Sequence, residues 1–250
     1  MRKYGLIGYP LGHSFSKKYF SEKFLNESLA DCSYDNYELA SLDEFQNLLS
    51  ADSEILGLNV TIPYKSEILR YLDEISPEAK EIGAVNVLKI KRNQNRSVIC
   101  GFNSDITGIR DSILPFLNPD IRNAIVFGTG GSSLAVCYVL RKIGINVTSI
   151  SRNRRPGFLS YSEIDSSILK SANLIVNTTP LGMYPNVGGK PDIDYSLLNR
   201  KHILFDLVYN PEVTAFLKEG MKYGCSTISG LKMLHSQAER SWMIWNDDTL

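Results

Sequence analysis

Asn123-Ala124-Ile125-Val126-Phe127-Gly128-Thr129-Gly130-Gly131-Ser132-Ser133-Leu134-Ala135-Val136 is the stretch that decides how this chain folds. Residues 123–127 are a short apolar run ending in glycine, which reads as a buried strand. A helix follows, with Val136, Val139, Leu140 and Ile143 at i, i+3, i+4 and i+7. Strand, glycine loop and helix form the context a dinucleotide fingerprint needs. The glycines let backbone N–H groups approach a pyrophosphate that also lies on the helix N-terminus. Gly128, Thr129, Gly130, Gly131 and Ser132 are the candidate cradle, and Ser133 is small enough for close helix packing. A purely structural glycine turn is the competing reading.

The end of the next strand selects the dinucleotide. NAD binders place an acid about 20 residues past the glycines, whereas NADP binders place arginine there. Ser151-Arg152-Asn153-Arg154-Arg155 offers planar, permanently charged donors and no acid until Glu163. The expected cofactor is NADP(H), against the alternative of an exposed basic loop.

Strands and helices alternate on both sides of this stretch, which predicts an α/β protein with a largely parallel sheet. Upstream, Tyr4–Ile7 and Ser33–Leu39 read as strands around a helix with Phe20, Phe24 and Leu25 inward. Ser41 with Glu44 is a capping-box signature for a helix burying Phe45, Leu48 and Leu49. Ile55 to Ile62 reads as a buried strand stopped by Pro63, and Ile68, Leu72 and Ile75 as the face of a helix after Lys65. Val85–Lys91 and Val98–Phe102 flank an Asn-Gln-Asn-Arg turn, a hairpin and an antiparallel edge. Downstream, strands are expected at 145–150, 173–177 and 202–207, then a closing helix with Leu231, Leu234, Ala238, Trp242 and Trp245 on one face. The pattern resets near residue 104. Two domains are expected, 1–103 joined by the returning helix 231–250, and 104–230, with a cleft between them.

The chain of 250 residues carries 27 Lys plus Arg against 27 Asp plus Glu, so no global field favours nucleic acid or an anionic membrane. No apolar run approaches the ~18 residues of a membrane helix, and no early apolar core reads as a signal peptide. Cys32, Cys100, Cys137 and Cys225 are scattered, as are His13, His202 and His235, so no metal-ligand spacing is present. A cytoplasmic protein, monomeric or homodimeric, with a small-molecule substrate is the expectation.

Chemistry-bearing residues gather at strand ends. Lys65 follows Asn59-Val60-Thr61-Ile62-Pro63-Tyr64, where open α/β sheets collect ligands. Asp105 lies at the hinge in Gly101-Phe102-Asn103-Ser104-Asp105, and a cap on the helix beginning at Ile106 is its alternative role. Ser14, Ser16, Asn59, Asn86 and Gln237 add neutral donors and acceptors, a set suited to a polyhydroxylated substrate.

Taken together, Ser14-Phe15-Ser16, the Asn59-to-Lys65 run, Gly83-Ala84-Val85-Asn86, Asn103-Ser104-Asp105, Thr179-Pro180-Leu181-Gly182-Met183, Asp206-Leu207-Val208-Tyr209-Asn210-Pro211 and Gly230-Leu231-Lys232 resemble the shikimate dehydrogenase family. The resemblance runs nearly the full length. It implies an N-terminal mixed-sheet α/β substrate domain, a C-terminal Rossmann-like NADP-binding domain, and reversible NADPH-dependent reduction of 3-dehydroshikimate to shikimate on the route to chorismate. It implies Lys65 and Asp105 as the catalytic pair. Ser14, Ser16, Asn59, Thr61, Asn86, Tyr209 and Gln237 would hold substrate, and Thr178, Leu207, Gly230 and Met233 would lie near the cofactor. Lys17, Tyr19 and Phe20 depart from the family's proline and His-Asn after the second serine, and Ser132-Ser133-Leu134 departs after the glycines. Independently of the resemblance, hydride arrival at a ketone carbon builds negative charge on oxygen, and an ammonium such as Lys65 meets it with a proton. A shikimate/quinate enzyme of broader specificity and a non-catalytic NADP-binding regulator are the rival readings.

Overall fold

The computed structural model describes residues 1–12, 15–93 and 96–247, and in it the chain divides into two compact units. One comprises Met1–Ser104 with Ala238–Leu250, the other Asp105–Gln237, so the division falls inside the last helix.

The first unit contains β1 (Arg2–Gly8), α1 (Phe15–Asn26), β2 (Cys32–Glu38), α2 (Phe45–Ala51), β3 (Ile55–Val60), β4 (Glu74–Ile75), α3 (Pro77–Ile82), β5 (Val87–Asn93) and β6 (Arg96–Phe102). Its sheet has the order β2-β1-β3-β5-β6-β4 and is mixed: β5 runs antiparallel to β3 and β6, and the other pairings are parallel. Ser41 caps as its spacing predicts, its N–H donating to Glu44 Oε1 at 2.9 Å, although a 3-10 turn at Leu42–Glu44 precedes α2.

Several expectations change here. β3 stops at Val60, and Ile62 is 65% exposed, so the strand ends two residues before the proline region. The segment after Lys65 is not an α-helix. A 3-10 turn at Glu67–Tyr71 gives way to β4, which pairs with β6 and makes β4, not the hairpin, the sheet edge. The reason is tertiary. Ile68 is buried in the core, Leu72 packs over Gly101, and Asp73 exchanges hydrogen bonds with Ile99, its N–H donating at 3.0 Å and its carboxylate accepting at 2.9 Å. Leu25 is 80% exposed rather than inward. The hairpin's tip, Gln94 and Asn95, lies outside the described residues, as does Ser14.

The second unit contains α4 (Asp105–Ile113), β7 (Asn123–Phe127), α5 (Gly131–Lys142), β8 (Asn146–Ser151), β9 (Leu159–Ser160), α6 (Ser166–Ser171), β10 (Leu174–Asn177), β11 (Ile203–Asp206), α7 (Ala215–Lys222), β12 (Ser226–Ile228) and the first turns of α8 (Gly230–Asn246). All its strands are parallel in the order β12-β11-β10-β7-β8-β9. That is the doubly wound arrangement, with its switch point between β7 and β10. The short strands β9 and β12 carry too little alternation to stand out in the sequence. Ile143, expected on the buried face of α5, sits at its C-cap and is 38% exposed.

Candidate active site

Strand register in the first unit gathers four segments at one end of the sheet. Ile7 pairs with Val60, Asn59 with Val87, and Val87 with Phe102. The exits of β1, β3 and β6 and the entry to β5 therefore lie side by side, bringing residues 9–12, Thr61 to Lys65, Gly83 to Asn86, and Asn103 and Ser104 to one rim.

A buried polar network fixes this rim. Asn59 Nδ2 donates to the Asn86 carbonyl at 3.2 Å and to Ser241 Oγ at 2.9 Å, and Tyr34 donates to Asn59 Oδ1 at 2.9 Å. Asn86 Nδ2 donates to Ser104 Oγ at 3.0 Å, and the Ser104 N–H returns a bond to Asn86 Oδ1 at 2.7 Å. Asn103 Nδ2 donates to the Ala84 carbonyl at 2.9 Å. Burial pushes the Tyr34 hydroxyl up, and a hydrogen bond with the Ser16 side chain opposes that shift. Lys65 is half-buried in the turn after β3, and its carbonyl accepts from the Val85 N–H at 2.7 Å. Its backbone is thereby tied to the segment bearing Asn86. Thr61 is held by its own N–H on the Ile7 carbonyl at 2.9 Å. Asp105 is fully buried and opens α4 as its first residue, one earlier than expected.

Ser104, Ser241 and Tyr34 were not among the expected site residues. Ser241 had a signal: it is a lone hydroxyl in the buried stripe of Leu234, Ala238 and Trp245, at i+7, i+3 and i−4 from those neighbours.

In the second unit the glycine loop sits at the switch point. Gly128 has φ +115°, and a Cβ there would meet Thr178 Oγ1 at 2.3 Å. Only glycine fits such a position. Thr178 Oγ1 in turn donates to the Phe127 carbonyl at 2.5 Å, so the expected neighbours Gly128 and Thr178 are brought together. Gly130 is the N-cap of α5 and faces open space, with nothing within 4 Å of a Cβ built on it. Ser133 Oγ donates to the Gly128 carbonyl at 2.8 Å, so that serine closes the loop. Thr129 is exposed, and Gly131 and Ser132 are half-buried. Ser151 is buried at the end of β8, whereas Arg152, Asn153, Arg154 and Arg155 are exposed just beyond it. Arg155 stacks on Phe158 at 4.7 Å. An uncapped helix N-terminus with open backbone in front of it, beside unburied guanidinium groups, fits a dinucleotide carrying an extra phosphate.

The exits of β10 and β11 complete this rim. The Leu207 N–H donates to the Asn177 carbonyl at 3.0 Å. A Cβ on Gly230 would meet the Leu207 carbonyl at 2.2 Å, and one on Gly108 would meet the Met233 carbonyl at 2.5 Å, so Gly230 and Met233 are held by close backbone approach. Tyr209 and Gln237 are half-buried, and burial raises the Tyr209 hydroxyl. Among the described residues, no group of three or more His, Cys, Asp or Glu side chains could hold a metal ion. Likewise, no helix is long and apolar enough to cross a membrane.

Known proteins resemble this chain over nearly its whole length. A family described as the shikimate dehydrogenase substrate binding domain matches residues 6–88. The NADP(+) shikimate dehydrogenase of Methanococcus aeolicus is 37% identical, over 96% of this chain and 90% of its own length. A Thermus thermophilus shikimate 5-dehydrogenase, solved with NADP(H) and shikimate, superposes with TM-score 0.83 at 28% identity, covering 98% of this chain and 94% of that one. A Corynebacterium glutamicum quinate dehydrogenase, solved with NAD, superposes with TM-score 0.84 at 27% identity, covering 98% and 93%. On its strand order, its glycine switch point and these full-length similarities, the chain belongs to the shikimate dehydrogenase family.

Proposed function

We propose that this enzyme reduces 3-dehydroshikimate to shikimate reversibly with NADPH, with Lys65 as the proton donor and acceptor and Asp105 as its carboxylate partner. The activity is that of the family, on the route to chorismate. The observation that carries the residue assignment is the tie from the Lys65 carbonyl to Val85 N–H at 2.7 Å, which anchors this lysine on the rim held by Asn59 and Asn86.

When bound, the nicotinamide supplies the hydride. The chain's own contribution is proton transfer and placement. Lys65 gives a proton to the carbonyl oxygen as it gains negative charge, and removes it again in the oxidative direction. The Asp105 carboxylate holds the ammonium toward that oxygen. Ser14, Ser16, Asn59, Thr61, Asn86, Tyr209 and Gln237 grip the hydroxyls and carboxylate of the substrate. Thr178, Leu207, Gly230 and Met233 would lie near the cofactor, and the segment Ser151 to Arg155 would meet its 2′-phosphate. The domain roles follow from the same reading: residues 1–103 with 231–250 bind substrate and residues 104–230 bind NADP. Four free thiols support a cytoplasmic location, where disulfides are rare, for a monomer or homodimer.

The test is loss of NADPH absorbance on adding 3-dehydroshikimate. Lys65→Ala should lower kcat by about 10²-fold or more, the range for a lost acid–base group, with little change in KM. A variant within threefold of the parent would remove Lys65 from the mechanism.

A further inference from the structure

Asp206 ends β11 and is fully buried, yet it belongs to neither set of residues assigned above. Its carboxylate accepts from three separate pieces of chain. Oδ1 takes the Val208 N–H at 3.0 Å and Asn177 Nδ2 at 3.0 Å, and Oδ2 takes the Thr214 hydroxyl at 2.6 Å. All three donors are neutral. Both oxygens face donors, and among the acidic and amide side chains only an ionised carboxylate offers acceptors alone. An asparagine would turn its own N–H₂ toward one of them.

Each partner passes the constraint on. Asn177 Nδ2 also donates to the Leu181 carbonyl at 3.2 Å, while its Oδ1 accepts from the Thr179 N–H at 3.1 Å and the Thr179 hydroxyl at 2.6 Å. The turn from 177 to 181 is thus wound about one amide. Thr214 caps α7 by accepting the Leu217 N–H at 3.3 Å, and its Cβ lies 3.4 Å from where a Cβ on Gly182 would be. The Tyr184 N–H donates to the Asn210 carbonyl at 3.1 Å, joining the two loops directly. One carboxylate therefore fixes the loops that leave β10 and β11 beside the switch point.

We propose that Asp206 is a positioning residue for hydride transfer. Through Asn177 and Thr214 it sets the relative placement of the loops bearing Thr178, Leu207 and Tyr209, without itself touching substrate or cofactor. This deepens the site reading given under Proposed function and rests on it.

The experiment is steady-state kinetics on Asp206→Asn, Thr214→Val and Thr214→Ser, each with ordinary NADPH and with NADPH deuterated at the transferred position. Misplacing reacting groups is costly to turnover, so Asp206→Asn should lower kcat by about 10-fold or more and raise the NADPH KM by about threefold. It should also enlarge the deuterium isotope effect, because hydride transfer becomes slower relative to product release. Thr214→Val should move all three readings the same way, and Thr214→Ser should restore them to within about twofold. A folded Asp206→Asn enzyme with kcat, NADPH KM and isotope effect all within about twofold of the parent overturns the proposal. If that variant does not fold, an unchanged isotope effect in Thr214→Val does so. Thr178→Val and Tyr209→Phe run alongside separate the two levels. If they leave kinetics unchanged, the underlying site reading fails and the proposal falls with it. If they impair turnover while Asp206→Asn does not, the positioning role alone fails.

Discussion

Asp206 also carries a consequence for stability. Burial raises its carboxyl from 3.8 to about 6, against the pull of Thr214, Val208 and Asn177 toward the ionised form. Between those values the folded chain holds a proton that the unfolded chain releases, so this group's contribution is complete below pH 3.8 and is lost as pH rises through 6. The loss is on the order of 3 kcal/mol in all, of which roughly 1.5 falls between pH 5 and pH 8. Asparagine does not titrate. Urea unfolding of the parent and Asp206→Asn at pH 5 and pH 8 should therefore show the parent's advantage shrinking at the higher pH by roughly 1.5 kcal/mol. A pH-independent difference would mean that the buried carboxyl titrates at its ordinary value. Comparing the two proteins cancels surface carboxylates such as Asp52, held below its usual range by Lys3, and Glu54, held there by the N-terminal ammonium and Lys3, both of which slope the opposite way.

At the scale of elements, the closing helix α8 is held in the first unit by a tight fit at Gly57. A Cβ on Gly57 would meet the Trp245 ring at 2.4 Å, and that ring stacks on Tyr4 at 4.8 Å and donates to the Leu88 carbonyl at 2.9 Å. The indole is buried and cornered on three sides. Gly57→Ala should cost about 1–3 kcal/mol by overpacking, read as a lower thermal midpoint. Pairing it with Trp245→Leu should recover part of that loss, and additive losses would show that the indole is not what Gly57 accommodates. Such a contact joins residues far apart in sequence and has no local signature. The same contrast explains what was legible. β7, its glycine loop and α5 were readable because strand burial, glycine conformation and helix periodicity are local properties. The segment after Lys65 misled, since Ile68, Leu72 and Ile75 have helical spacing but are placed by Gly101 and by pairing with β6. In the candidate site, Lys65, Asn59 and Asn86 are proposed from strand-end motifs legible in the sequence. Ser241 showed only as a lone hydroxyl in an apolar stripe, and the partners of both Ser241 and Asp206 are brought up from other elements.

For the molecule as a whole, architecture does not choose the cofactor. The chain superposes about equally well on a shikimate dehydrogenase solved with NADP(H) and on a quinate dehydrogenase solved with NAD. Nor does overall charge choose it, because 27 basic residues balance 27 acidic ones and leave no net field to draw in a more highly charged nucleotide. On the proposed assignment, preference for NADPH comes from the exposed guanidinium groups after β8, and two consequences distinguish that origin from a diffuse one. First, a charge-assisted bond to a phosphate is worth about 1.5–3 kcal/mol, so Arg152→Ala with Arg154→Ala should raise the NADPH KM by about 10-fold or more and leave the NADH KM nearly unchanged. Second, exposed charges are screened over about 10 Å at 0.1 M salt, so the parent's ratio of kcat/KM for NADPH over NADH should fall with ionic strength, while that of the double variant stays flat. A parent enzyme equally efficient with both nucleotides at low salt would sink the arginine assignment. A preference that survives loss of both arginines would move it to another part of the second unit.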